Sequence, residues 1–224
     1  MNFREWQKFY QEIALDLDIS QVDDYRASEI LSGILGARSR ISNLDQYIGL
    51  PANVYGNGPL LEKFMQDTPN GLEIVADSAI TTYLKHRDAP DIIVTDLDGD
   101  IRSIMDCART GSLVVVHAHG DNIERLEKFV PSIEGKVIGT TQNTPLWNVF
   151  NFFGFTDGDR SAYIADYLDS PEIRLIGFDF TIPGPKNNQD TERKIRKLKW
   201  AEKLLLRLAS ERGSNFVTGG LIRI

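Results

Sequence analysis

The sequence predicts an α/β fold: a Rossmann-like parallel sheet with helices on both faces, preceded by an N-terminal helical region. Three observations lead there. From Ala52 onward, short apolar β-branched runs alternate with helical segments, as in a parallel sheet built from strand–helix units. Polar and glycine-rich residues follow those runs, at the carboxyl ends where open parallel sheets bind ligands. Before Ala52, apolar side chains recur at helical spacing.

Phe3, Trp6, Phe9, Tyr10, Ile13 and Leu17 define a first amphipathic helix, whose aromatics are assigned to packing. A second helix is expected from Val22 to Leu35 and on to about Ile41. Residues 1–46 therefore read as the helical region and residues 47–224 as the α/β domain. The expected strands are Ala52–Tyr55, Leu72–Ala76, Asp91–Thr95, Leu113–His117, Lys136–Gly139 and Ile173–Gly177. Helices are expected to start near Pro59, Ser78, Ile101 and Asn122, the third capped by Asp100. Thr181–Gln189, rich in loop formers, reads as a mobile loop. A long helix follows to about Ser210, then a hairpin of Ser214–Thr218 and Leu221–Ile224 across Gly219-Gly220.

Composition narrows the function. The chain has 224 residues, 42% of them hydrophobic, and a formal net charge of -7. Such a charge disfavours broad nucleic-acid binding. Cys107 is the single cysteine, so no intramolecular disulfide forms, and a reducing cytoplasm is expected. No signal peptide opens the sequence, and no apolar run approaches the ~20 residues of a membrane span. A homo-oligomer is left open.

The most informative stretch is Ile92-Ile93-Val94-Thr95-Asp96-Leu97-Asp98-Gly99-Asp100. Strand alternation would put Asp96 and Asp98 on one side of a strand's carboxyl end. Two such carboxylates repel unless a cation lies between them, and hard oxygen ligands suit Mg²⁺ carrying phosphates. Gly56-Asn57-Gly58-Pro59 is either an ordinary tight turn or a phosphate-approach turn at a helix start. Asp77-Ser78 and Asp179 stand at two further strand ends.

His117-Ala118-His119-Gly120-Asp121-Asn122 follows the fourth strand. The two histidines are candidates for hydrogen bonding to substrate or phosphate, or for a zinc site if an acid completes it. Asp121 is either a third acid or a helix cap. In Thr156-Asp157-Gly158-Asp159-Arg160, Asp159 is expected to cap a helix and Arg160 to bind phosphate. Lys186, Arg193 and Lys194 could reach a triphosphate from the loop and the basic helix, whose charge run otherwise reads as a solvated face.

GNGP, VADSA, IIVTDLDGD and VVVHAHGDN, after or across four successive strands, resemble the archaeal 6-hydroxymethyl-7,8-dihydropterin pyrophosphokinase family over roughly residues 50 to 224. That family looks distantly related to thiamin pyrophosphokinases, whose acidic strand end binds magnesium. The resemblance implies transfer of diphosphate from ATP to a pterin hydroxymethyl group, with release of AMP. It implies Asp96 and Asp98 as magnesium ligands, with Asp121 as a third, and Asp121 or His119 orienting the hydroxyl. The strand-end, loop and helix positions read above make Gly56, Asn57, Gly58, Pro59, Asp77, Ser78, His117, Asn122, Arg160, Asp179, Lys186 and Arg193 the candidates around the substrates. The competing expectations are a metal-dependent glycosyltransferase using a nucleotide sugar, a non-catalytic Mg-nucleotide sensor and a zinc hydrolase.

Overall fold

Two layers of helices bury the two faces of one sheet, and the alternation of side chains along each strand decides which layer each residue meets. The computed structural model describes residues 1–65, 69–182, 191–214, 216 and 222–224. Two helices come first, α1 (Phe3–Asp16) and α2 (Gln21–Leu35). The strands and helices then follow in chain order: β1 (Ala52–Tyr55), α3 (Leu61–Phe64), β2 (Leu72–Ala76), α4 (Ile80–Tyr83), β3 (Ile92–Thr95) and α5 (Ile101–Thr110). Next come β4 (Leu113–Ala118), α6 (Ile123–Phe129), β5 (Val137–Thr141), β6 (Val149–Phe150), α7 (Asp157–Tyr167), β7 (Ile173–Ile176), α8 (Thr191–Glu211) and β8 (Ile222–Arg223).

The described strands form one sheet in the order β6-β5-β4-β3-β2-β1-β7-β8. All pairs are parallel except β7 with β8, where Arg174 faces Arg223 and Leu175 faces Ile222. Val54, Ile74, Ile92, Val94 and Val115 point to the face covered by α1, α7 and α8. Tyr55, Val75, Ile93, Val114 and Val116 point to the face covered by α2 and α4 to α6. Each such fully buried aliphatic side chain contributes ~1.5–3 kcal/mol of transfer free energy. The two N-terminal helices thus lie on opposite faces and share their core with the sheet.

Several boundaries differ from expectation. The second helix ends at Leu35, where Gly36 takes φ +50, and short 3₁₀ turns at Gly36–Arg38 and Ile41–Tyr47 replace its extension. The helix expected at Pro59 starts at Leu61 and lasts one turn. The buried stripe of α8 is Ala201, Leu204, Leu205, Leu208 and Ala209. Most of the expected loop Thr181–Gln189, including Lys186, and most of the expected hairpin lie outside the described residues. Among the described residues, no helix is long and apolar enough to cross a membrane.

Asp100 does cap α5. Its Oδ1 accepts from the Ser103 N–H at 3.2 Å and its Oδ2 from the Ser103 hydroxyl at 2.7 Å. Those two bonds hold its carboxyl below the usual range. Asp100→Ala is expected to cost about 0.5–2 kcal/mol in denaturant unfolding and to leave turnover unchanged. Because the folded pKa is depressed, this contribution is present above the unfolded value of about 3.9 and is lost as pH falls through the folded one.

Candidate active site

The chain runs outward from β1 to β6, then returns through α7 to place β7 beside β1. That reversal is the topological switch point where open sheets hold ligands. A cavity of about 410 Å³ opens there, over the carboxyl ends of β1 to β4 and β7. Its wall includes Gly56, Asp77, Asp96, His119, Asp157 and Phe178, and α8 adds Arg193, Lys194 and Lys197.

Three carboxylates converge in it. Asp77, at the end of β2, Asp96, at the end of β3, and Asp157, at the start of α7, offer oxygens within 4.8 Å of one another. Asp77 is buried and orders the next strand end: its Oδ2 accepts from the N–H groups of Asp98 at 3.2 Å and Gly99 at 3.1 Å. A Cβ on Gly99 would lie 2.0 Å from Asp77 Oδ1, so no larger residue fits there without moving that carboxylate. Burial, and then the charge of Asp96, push the Asp157 carboxyl well above its ordinary value. Such crowding of hard oxygen donors suits a divalent cation.

The alternation expected to align Asp98 with Asp96 stops at Thr95. The Thr95 hydroxyl accepts from the Leu97 N–H at 2.8 Å, and Leu97 turns to φ +64. Asp98 and Asp121 line the cavity but stand outside the three-acid group. Asp157 carries no signal in the sequence beyond its place at a helix start, and the crossover from β6 to β7 is what brings it here.

The histidines divide their work. His119 Nδ1 accepts from the Asp121 N–H at 3.2 Å, which leaves the proton on Nε2, 3.3 Å from Asp96 Oδ2. His117 is buried, with Nδ1 3.2 Å from the Thr140 hydroxyl and Nε2 3.0 Å from the Arg160 guanidinium. Burial, and then the Arg160 charge, hold the His117 pKa well below its ordinary value, so the imidazole is neutral and accepts from Arg160. The zinc pairing of the two histidines is therefore not formed. Among the described residues, the metal-capable group contains carboxylates alone.

Arg160 is turned inward. Its guanidinium donates to Asp157 Oδ1 at 3.1 Å, to His117 Nε2 and to the Phe155 carbonyl at 3.0 Å. It steadies an acid of the site where the sequence suggested a phosphate ligand. Asn122, also buried, donates to the carbonyls of Asp96 at 2.9 Å and His117 at 2.8 Å, clamping β3 to β4. Two expected caps move. Thr156 caps α7, with Asp159 as its reciprocal partner, and His119 with Asn122, rather than Asp121, caps the turn before α6.

Gly58 donates to the Gly177 carbonyl at 2.6 Å, and a Cβ there would meet the same oxygen at 2.4 Å. Gly56 donates to the Ile176 carbonyl at 2.9 Å. These glycines let β1 and β7 leave the sheet side by side. Asn57, Ser78 and Asp179 line the cavity, whereas Pro59 is exposed outside it. Partial burial works against the charge on Asp179, yet donors from Thr181 and Ile182 hold its carboxyl below the usual range.

One side of α8 faces this cavity with Arg193, Lys194 and Lys197. Another is tied to α1: Arg196 to the Asp16 carbonyl at 2.6 Å, Trp200 to Asp16 Oδ2 at 2.8 Å, and Lys203 to Glu12 at 3.2 Å. The basic run is thus not a uniformly solvated face.

A family described as "6-hydroxymethylpterin diphosphokinase MptE-like" matches residues 32–184. The chain is 40% identical over 218 residues to a Pyrococcus furiosus protein named 6-hydroxymethyl-7,8-dihydropterin pyrophosphokinase, covering 92% of this chain and 93% of that one. It is 37% identical over 229 residues to a Methanocaldococcus jannaschii protein of the same name, covering 92% and 95%. A third, from Methanothermobacter thermautotrophicus, is 36% identical over 190 residues, covering 80% and 79%.

Proposed function

Since the chain belongs to the MptE-like 6-hydroxymethylpterin diphosphokinase family, we propose that its cavity transfers diphosphate from ATP to the hydroxymethyl group of 6-hydroxymethyl-7,8-dihydropterin. The observation that carries this reading is the meeting of Asp77, Asp96 and Asp157 in the same cavity as Arg193, Lys194 and Lys197. Acids on one side and cations on the other suit a metal-bound polyphosphate.

In the reaction, the hydroxymethyl oxygen bonds to the β-phosphorus. The link from that phosphorus to the α,β-bridging oxygen breaks, and AMP leaves. No covalent protein nucleophile is needed, so positioning and charge stabilisation provide most of the catalysis. Asp77, Asp96 and Asp157 would hold Mg²⁺, whose charge offsets that of the phosphates when bound. Arg193 and Lys197 would hold the migrating group. Arg160 and the His119 Nε2–H keep Asp157 and Asp96 in place. Both ring nitrogens of His119 are engaged, so the acceptor hydroxyl is assigned to Asp121. The single, buried, unpaired thiol of Cys107 suits the reducing cytoplasm in which we place this enzyme of pterin synthesis.

Nucleotide choice tests this against a glycosyltransferase. Mg-ATP is expected to raise the unfolding temperature, and a nucleotide sugar to leave it unchanged. The reverse result would favour the glycosyltransferase. Arg193→Ala and Lys197→Ala are each expected to lower turnover about tenfold or more, while changing stability by less than about 0.5 kcal/mol, since half-exposed side chains contribute little to the core. Steady-state kinetics beside thermal unfolding checks both halves. Unchanged turnover would return this end of α8 to a merely solvated surface.

A further inference from the structure

Asp24 on α2 is 1% exposed, and it stands outside the three-acid group. A buried carboxylate persists where donors surround it. The Tyr10 hydroxyl donates to Asp24 Oδ2 at 2.6 Å, Gln142 Nε2 donates to the same oxygen, and the Gly120 N–H donates to Oδ1 at 2.8 Å. The three donors come from α1, from the segment after β5 and from the turn after β4. Burial, and then the charge of Asp24, push the Tyr10 phenol upward and keep it a donor. The α2 end of the network is also pinned by Ser28, which donates to the Asp24 carbonyl at 2.9 Å and pairs with the Thr141 hydroxyl at 2.7 Å.

The turn that Asp24 grips begins with His119. Gly120 is packed so closely on α2 that a Cβ would lie 2.7 Å from the Cβ of Asp23. The turn is thus fixed by a hydrogen bond and by shape. From it, His119 Nε2 reaches Asp96 Oδ2 and Asn122 reaches the Asp96 carbonyl. We propose that Asp24 is a positioning residue: it fixes the turn 119–122 and, through the His119 Nε2–H, orients the Asp96 carboxylate. The N-terminal helices would then take part in setting the reaction centre as well as covering the sheet. The catalytic consequence rests on the function proposed above; the placement of the imidazole does not.

The test uses the full chain and two readouts. Long-range proton–nitrogen spectra report which imidazole nitrogen carries the proton, and the His119 signals are assigned by their loss in His119→Ala. In the unaltered protein His119 is expected as the Nε2–H form. Asp24→Asn is expected to shift those signals and to lower kcat about tenfold with little change in KM. Asp24→Asn combined with His119→Ala should have the kcat of His119→Ala alone, because both changes break one chain of contacts. If Asp24→Asn does not fold, Tyr10→Phe replaces it and is expected to give a smaller shift in the same direction. His119 signals unmoved in the folded variant, or kcat losses that multiply in the double variant, would overturn the proposal. If no AMP is formed by any form of the protein, the spectra still decide the placement.

Discussion

Asp96→Asn is expected to lower turnover at least about 100-fold while the protein stays folded, the scale seen when metal affinity and ligand orientation are disturbed. Asp96 belongs to the three-acid group and accepts the His119 Nε2–H. An amide in its place removes a charge that a divalent cation needs, and it relieves repulsion on Asp157 at the same time. Two measurements therefore accompany kinetics. The Mg²⁺ concentration giving half-maximal rate should rise, and the metal-free variant should be at least as thermally stable as the unaltered protein, because less like charge is crowded together. Asp77→Asn should behave alike in kinetics. Asp98→Asn should be milder, because Asp98 stands outside the three-acid group. Equal losses at Asp98 and Asp96 would return the metal to the pair suggested by strand alternation.

Gly58→Val is expected to destabilise the fold by about 1–3 kcal/mol or more, as overpacking against fixed backbone does. Here the obstacle is the Gly177 carbonyl, 2.4 Å from the Cβ position, with the Asp179 N–H 3.0 Å away. Thermal unfolding measures the loss, and nucleotide KM measured below the transition shows whether the turn also meets phosphate. A normal unfolding temperature with a raised KM would restore the phosphate-approach account of this glycine.

Much of the sheet was legible because its central strands are buried on both faces. Ala52–Tyr55 and Leu72–Ala76 form with the expected boundaries, since continuous apolar runs bounded by turn residues leave little choice of register. β6 and β8, two residues each, are too short to carry a periodic signal. The carboxyl-end clustering of polar residues followed from the fold class. What could not be read locally was which acids meet. Strand alternation linked Asp96 to Asp98, but a hydroxyl-capped turn at Thr95 breaks the period. Asp157 and Asp24 arrive from a crossover helix and from the N-terminal region, contacts that no local pattern encodes. Arg160 and Asn122 illustrate a second difficulty. Their side chains suit phosphate or base, yet burial commits both to protein acceptors, and burial is a property of the assembled layers.

The central claim is diphosphoryl transfer at the carboxylate-lined cavity. Incubating the protein with ATP, Mg²⁺ and 6-hydroxymethyl-7,8-dihydropterin, followed by mass analysis, tests it most directly. The expected result is AMP and pterin diphosphate in equal amounts, formed only when the pterin is present and abolished in Asp96→Asn. ADP with a pterin monophosphate, AMP release indifferent to the pterin, or full activity in Asp96→Asn would contradict it.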